Sequence, residues 1–261
     1  MPDQVLRLTR DGGRATVTLH RPAVRNAFNA ELIAALHDGF VALARDESVR
    51  VVVLDGEGPA FSAGADVGWM RDALALSEAE NVRDAEAFSE MYRAIDRCPK
   101  PVVAKVHGAV LAGGIGLCAV ADAVVAHEET IFGFTETKLG IIPAVIAPFV
   151  LAKIGVSHAR RLFLTGERFD ADRAQAIGLV HEVVHGDALD GTVDAIVEEF
   201  ETAAPGAVVA AKRLIAEVRS VSYDDSRELT ARAIAAQRVG AEGQEGLRAF
   251  LERRTAAWIA R

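Results

Sequence analysis

The chain is 261 residues long, 51% apolar and 25% charged, with a formal charge of −8. That length suits one large domain, or one core with an appendage, and half apolar content can bury a sizeable core. Both signs of charge are scattered and no basic block occurs, which argues against nucleic acid as a partner.

No apolar run approaches the ~20 residues needed to cross a bilayer. Met1-Pro2-Asp3-Gln4 lacks the charged-then-apolar pattern of a secretion signal, so a soluble cytoplasmic chain with no membrane partner is expected. Cys98 and Cys118 lie far apart inside apolar segments and read as reduced core cysteines.

Val5–Thr9 and Ala15–Leu19 alternate apolar and polar residues around Asp11-Gly12-Gly13, which predicts a hairpin. Leu32, Ile33, Leu36, Phe40 and Leu43 recur at helical spacing, predicting a helix over 30–45 with Asn29 as N-cap. Val49–Leu54 is a continuous apolar strand, covered on both faces. It runs into the small-residue loop Gly58–Asp66, and ligands in layered α/β folds bind at the carboxyl ends of strands. The mixed stretch from Trp69 to Asn81 predicts a mobile segment, with Trp69 and Met70 lining a pocket or capping the core. A second long helix is expected over 82–96, with Ala85, Phe88, Met91, Tyr92 and Ile95 inward, stopped by Pro99 and Pro101.

Pro101–Val106 is an apolar strand ending at His107-Gly108, and the stretch Ala112-Gly113-Gly114-Ile115-Gly116-Leu117-Cys118 through Asp122 follows it. It predicts a turn and then a buried helix starting near Gly113. Glycines let the backbone approach a ligand closely. The first amides of a helix have no intrahelical partner, and the dipole favours negative charge there. The stretch is therefore either an anion or oxyanion site or a glycine-smoothed contact between helix and sheet. The two strand–loop–helix units, at 49–66 and 102–113, repeat in outline and can deliver their loops to one pocket.

After a strand at 123–126, Phe132–Pro143 carries the carboxylate Glu136 among apolar residues. A buried helix over 145–154, an amphipathic one over 157–164 with Ser157 as N-cap, a short helix capped by Asp170 and stopped by Gly178, and a strand at 179–184 complete the α/β part. From Asp190 the pattern is helical throughout: 190–203, 207–218, 222–239 and 244–259. The switch near residue 200 divides a core over 1–200 from an appended helical part over 201–261, packed on its own core or on a neighbouring subunit.

Arg21-Pro22, Asn26-Ala27, Ala60-Phe61-Ser62-Ala63-Gly64-Ala65-Asp66, the run from Gly108 to Asp122, Phe132-Gly133, Glu136 to Pro143, Leu164-Thr165-Gly166, Ala174, Gly178-Leu179-Val180 and Gly246 to Arg254 stand in an order and spacing that resembles the crotonase (enoyl-CoA hydratase/isomerase) family. The resemblance covers nearly the whole chain. It implies an α/β spiral of ββα units with a C-terminal all-helical part, assembled as a homo-trimer or a dimer of trimers. It implies an acyl-CoA thioester substrate, with coenzyme A as part of the substrate and no further cofactor or metal. Carried over by position, the amides of Ala63 and Gly113 would hold the thioester oxygen, and one such donor is worth about 3 kcal/mol of barrier in other acyl-transfer sites. Glu136 would carry the proton, its pKa raised in an apolar pocket. Arg25, Ala27, Ala65, Asp66, Trp69, Met70, Gly114, Gly116, Phe250 and Arg253 would surround the substrate.

One departure stands out. The family's two-glutamate hydratases carry their second glutamate where this chain has Gly116. A glycine there leaves space that would admit a bulkier acyl group. With the run Ile141–Pro148, it resembles a branch that includes glutaconyl-type CoA hydratases. Other polar residues read as structural: Asp66 shapes its loop and caps the next turn, Asp122 ends a buried helix, and His107 is a hydrogen-bonded core histidine. Lys105 can meet a carboxylate. Arg25, Lys212 and Arg253 read singly as solvated charges, or as contacts to CoA phosphates.

The expected activity is hydration of a 2-enoyl-CoA by a single glutamate. Double-bond isomerisation needs only one carboxylate and is the alternative; decarboxylation and thioester hydrolysis stand further back. A non-catalytic acyl-CoA-binding subunit would tolerate loss of Glu136, and RNA binding would need a basic face assembled by folding.

Overall fold

The structure, a computed structural model, describes residues 4–259, so Met1, Pro2 and Asp3 of the N-terminal stretch lie outside it. The hairpin forms as β1 (Leu6–Asp11) and β2 (Arg14–Leu19), and in β2 Ala15, Val17 and Leu19 all face the core. α1 (Ala30–Arg45) starts where Asn29 accepts the Leu32 amide, and its five expected apolar residues are buried. β3 (Val51–Gly56) is buried along nearly its whole length, as an internal parallel strand must be.

The segment from Trp69 to Asn81, too mixed to read as an element, is largely helical. It forms α2 (Val67–Ala73) and the first turn of α3 (Glu78–Asp96). The signal was a capping box: the Ser77 hydroxyl accepts the Glu80 amide while the Glu80 carboxylate accepts the Ser77 amide. β4 (Val102–Val106) follows, then β5 (Ala109–Leu111), α4 (Gly113–Val120), β6 (Ala123–His127) and β7 (Ile131–Gly133). α5 (Ala147–Thr165) breaks at Gly155, where φ is 74° and ψ 164°; the second half starts from that glycine and not from a Ser157 cap. β8 (Arg168–Asp170), α6 (Ala171–Ala176) with its Asp170 cap, and β9 (Glu182–Val184) complete the α/β part.

The larger sheet has the order β1-β2-β3-β4-β6-β9, parallel except for the hairpin, and β5-β7-β8 form a second sheet. The short strands β5, β7 and β8 escaped the periodicity analysis, since three residues carry too little pattern. One main core lies between the sheets and α1, α3, α4 and α5. α7 (Leu189–Thr202) covers the other face of the large sheet, with Val193 and Val197 against Val51, Val53, Val103 and Val125.

α8 (Pro205–Val218), α9 (Tyr223–Val239) and α10 (Ala241–Leu251) pack mainly on one another. α10 ends at Leu251, short of the helix expected to 259. Ile215, Ile234, Val239, Leu247, Phe250 and Leu251 on these helices are exposed. Among the described residues no helix is long and apolar enough to cross a membrane. Cys98 and Cys118 are buried free thiols, and burial pushes Cys118 up to about 12.

Candidate active site

Three loops are stitched together by backbone bonds. The Ser62 amide donates to Ala109 O and the Leu111 amide to Ser62 O, joining the loop after β3 to β5. The Phe28 amide donates to Gly64 O and the Asp66 amide to Phe28 O, joining the same loop to the start of α1. Asn26, fully buried at φ 53°, accepts the Arg21 amide and donates to Glu57 O and Ala60 O at 2.9 and 2.8 Å. Asn26 stands among the residues that carry the resemblance, but no local pattern shows that it ties the loops together.

This stitching decides which amides are free. The Ala63 amide donates to Arg25 O at 2.9 Å, so the expected donor is already committed and lies outside the cavity. The Ala65 amide, two residues on, has no acceptor among the described residues, and Ala65 lines the cavity. Phe28 bonds the Gly64 carbonyl and the Asp66 amide, which turns the Ala65 amide between them away from Phe28, and Gly64 at φ 93° separates it from Ala63. Gly113 behaves as expected: it is the first residue of α4, its amide has no acceptor among the described residues, and it lines the same cavity. Ala112 ahead of it sits at φ 46° and ψ −116°, a conformation L-residues rarely adopt, and its amide is anchored on Gly133 O. Such strain persists only where surrounding structure enforces it, and here it sets the direction of the Gly113 amide.

The cavity holds about 260 Å³ and is lined by Ala65, Trp69, Met70, Gly113, Glu136 and the loop Ile141–Ile146, with Ala73, Asn81, Asp84, Ala85 and Phe88 on the α2–α3 side. Glu136 stands in a single 3-10 turn, Thr135–Leu139, between β7 and the Ile141–Ile146 loop. Its Oε2 is buried and makes no hydrogen bond among the described residues. Burial pushes its carboxyl above the ordinary glutamate range, only partly offset by a backbone hydrogen bond. Glu136, Ala65 and Gly113 thus line one apolar space.

The other expected contacts separate into two groups. Trp69 and Met70 line the cavity as expected. Asp66 does not: its Oδ1 caps α2 through the Gly68 and Trp69 amides, and its Oδ2 pairs with Arg21 at 3.0 Å. Burial raises its pKa, but those amides and Arg21 outweigh it and the net shift is downward. Gly114 is outside the lining, with Ser62 O only 2.9 Å from where a Cβ would stand. Ala27 is buried, and its carbonyl accepts from Arg21. Arg25, Phe250 and Arg253 are exposed, and this chain brings none of them into the cavity.

Gly116 overturns an expectation. It opens no space for an acyl group: an added Cβ would stand 2.5 Å from Ile146 Cγ2 and 2.7 Å from Tyr92 Cε1 and Cζ. The volume that a second glutamate would need is filled by a tyrosine ring from α3. His107 donates to or accepts from nothing in the cavity; its Nε2 bonds Gly58 O at 2.8 Å. Lys105 pairs with Asp55 and Asp190, and Asp122 takes the Val102 amide and Lys212, so Lys212 serves the fold.

A sequence profile of the enoyl-CoA hydratase/isomerase family matches residues 9–261. A Thermus thermophilus protein with the provisional name enoyl-CoA hydratase is 36% identical over 244 residues, 93% of this chain and 96% of its own. A trans-2-decenoyl-[acyl-carrier-protein] isomerase of Streptococcus mutans is 27% identical, over 94% of each chain. The crystal structure of an enoyl-CoA hydratase from Shewanella pealeana superposes with a TM-score of 0.95 at 34% identity, over 98% of this chain and 97% of that one. With profile, relatives and fold in agreement, this chain belongs to the enoyl-CoA hydratase/isomerase family of the crotonase superfamily, enzymes that act on acyl-CoA thioesters.

Proposed function

We propose that the enzyme hydrates a 2-enoyl-CoA thioester, with Glu136 as its only acid–base. The observation that carries this reading is that Glu136, with a buried and unpartnered Oε2, lines the same cavity as Ala65 and Gly113, whose amides have no acceptor among the described residues. The thioester oxygen accepts from the two amides. Glu136 takes a proton from water as the hydroxide adds at C3, and the electron pair moves onto the thioester oxygen as an enolate. The enolate then takes the proton back from Glu136 at C2, so one water is added in sum. Each amide donor lowers the barrier by about 3 kcal/mol, because it meets negative charge that the ground-state thioester oxygen does not carry.

The crowding at Gly116 favours one second reading, double-bond isomerisation. A lone carboxylate carries a proton from C2 to C4 of a 3-enoyl thioester without having to orient a water. The exposed apolar residues of α8–α10 fit assembly through these helices, as a trimer or a dimer of trimers. Nothing in the proposed chemistry requires a cofactor beyond the coenzyme A of the substrate.

The test is incubation of purified enzyme with crotonyl-CoA and with 3-methylglutaconyl-CoA, following the conjugated thioester absorbance and the product mass. A gain of one water supports hydration, and the preferred substrate places the branch. No mass change, with a 3-enoyl-CoA gaining the conjugated absorbance, moves the activity to isomerisation.

A further inference from the structure

We infer that Tyr92 is a positioning residue for this site: its hydroxyl holds the first turn of α4 so that the Gly113 amide faces the thioester oxygen. The inference rests on the proposed role of that amide.

The geometry is direct. Tyr92 is fully buried, and its hydroxyl donates to Gly113 O at 2.7 Å. Gly113 needs an outside hold. It is a glycine, with the widest conformational freedom of any residue. It opens a helix whose N-cap, Ala112, offers no side-chain cap. Helix ends without caps fray. Two contacts replace the missing cap: the Ala112 amide on Gly133 O ahead of Gly113, and the Tyr92 hydroxyl on the Gly113 carbonyl itself. The Tyr92 hydroxyl holds the peptide unit after the Gly113 Cα, and the Ala112 carbonyl, which accepts the Ile115 amide at 2.9 Å, holds the unit before it that carries the Gly113 amide.

Tyr92 is itself held. Its ring packs against Phe88, Phe149 and Phe28 at centroid distances of 5.0, 5.9 and 6.5 Å. The ring also covers Gly116, with Ile146 beside it. The tyrosine therefore occupies the volume of an absent second carboxylate and braces the oxyanion end of the site from behind. It does not line the cavity, so it acts through Gly113 and not on substrate. Burial, and after it the charge of Glu136, push the phenol well above its ordinary range, which keeps the proton on the donor.

The test compares wild type with Tyr92→Phe, which keeps the ring and its packing. We expect kcat to fall roughly ten- to a hundredfold, the range for a small misplacement of a catalytic group. KM stays within about twofold, because the donor is needed most in the transition state. A second readout is the absorption band of a conjugated 2,4-dienoyl-CoA bound to Glu136→Gln protein. Amide donors on the thioester oxygen draw this band to longer wavelength, and Tyr92→Phe in that background returns it toward the free-ligand position. Should Tyr92→Phe unfold, the phenol can be changed in place. The chain has two tyrosines, so a Tyr223→Phe protein made with 3-fluorotyrosine carries the label at residue 92 alone. The stronger phenol donor moves the band further to long wavelength.

An unchanged kcat in Tyr92→Phe, or an unmoved band in either altered protein, overturns the inference. A wild-type enzyme that turns over no enoyl thioester overturns the proposed function instead.

Discussion

Gly116→Ala separates two pictures of the site. If glycine there opened room for substrate, an alanine would be accepted, and the helix would gain about 1 kcal/mol from replacing glycine. The structure gives the opposite sign. The new Cβ stands 2.5 Å from Ile146 Cγ2 and 2.7 Å from two ring atoms of Tyr92, against ordinary carbon contacts of about 3.5–4.0 Å. Tyr92 cannot turn aside cheaply, because its hydroxyl is bonded to Gly113 O and its ring is walled by Phe28, Phe88 and Phe149. Overpacking of this kind costs about 1–3 kcal/mol, and two displaced neighbours put it at the upper end. After the gain in helix propensity the net loss is about 2 kcal/mol, or roughly 4–8 °C in Tm for a domain near this size. Thermal unfolding of the two proteins at one concentration measures it. An unchanged or raised Tm refutes the packing argument, and with it the claim that Tyr92 fills the second-glutamate volume.

Three further outcomes are expected. Glu136 must be ionised to accept a proton, and burial raises its pKa, so kcat/KM falls on the acid side at a pH above the ordinary glutamate value of 4.5; a pH profile without such a limb contradicts this. Asn26→Ala leaves the Glu57 and Ala60 carbonyls and the Arg21 amide without their partner at a positive φ, and should cost about 3 kcal/mol in denaturant unfolding; a loss under about 1 kcal/mol would show that water replaces it. Trp69 and Asp84 line both the active cavity and a neighbouring one of about 280 Å³ between α1 and α3. Trp69→Ala joins the two, so kcat/KM for a 2-decenoyl-CoA should rise relative to crotonyl-CoA; an unchanged ratio shows that the wall lies elsewhere.

Much of this was legible in the residues. The periodicity of α1, the Asn29 and Asp170 caps, the apolar strands and the Gly113 helix start are local signals, and each formed as read. Glu136 was legible from its apolar flanks. The rest depends on contacts between distant segments. That Ala63 is committed and Ala65 free follows from bonds to Arg25 and Phe28, more than thirty positions back, which no local pattern contains. Gly116 looked like space because sequence shows the missing side chain and not the Tyr92 ring that replaces it. Asp66 shows the reverse: the cap was legible, and its pairing with Arg21 was not. The Ser77–Glu80 capping box was written in the sequence and went unread inside a mixed-polarity stretch.

The most direct measurement is the turnover of Glu136→Gln against wild type on the substrate that wild type prefers, with thioester affinity measured alongside. The expected result is a loss of about 10²–10⁴-fold in kcat, the usual worth of a positioned acid–base. Affinity should stay close to that of wild type, since the amides of Ala65 and Gly113 are untouched. A variant that retains turnover would contradict the account at its centre, by removing the only acid–base it assigns.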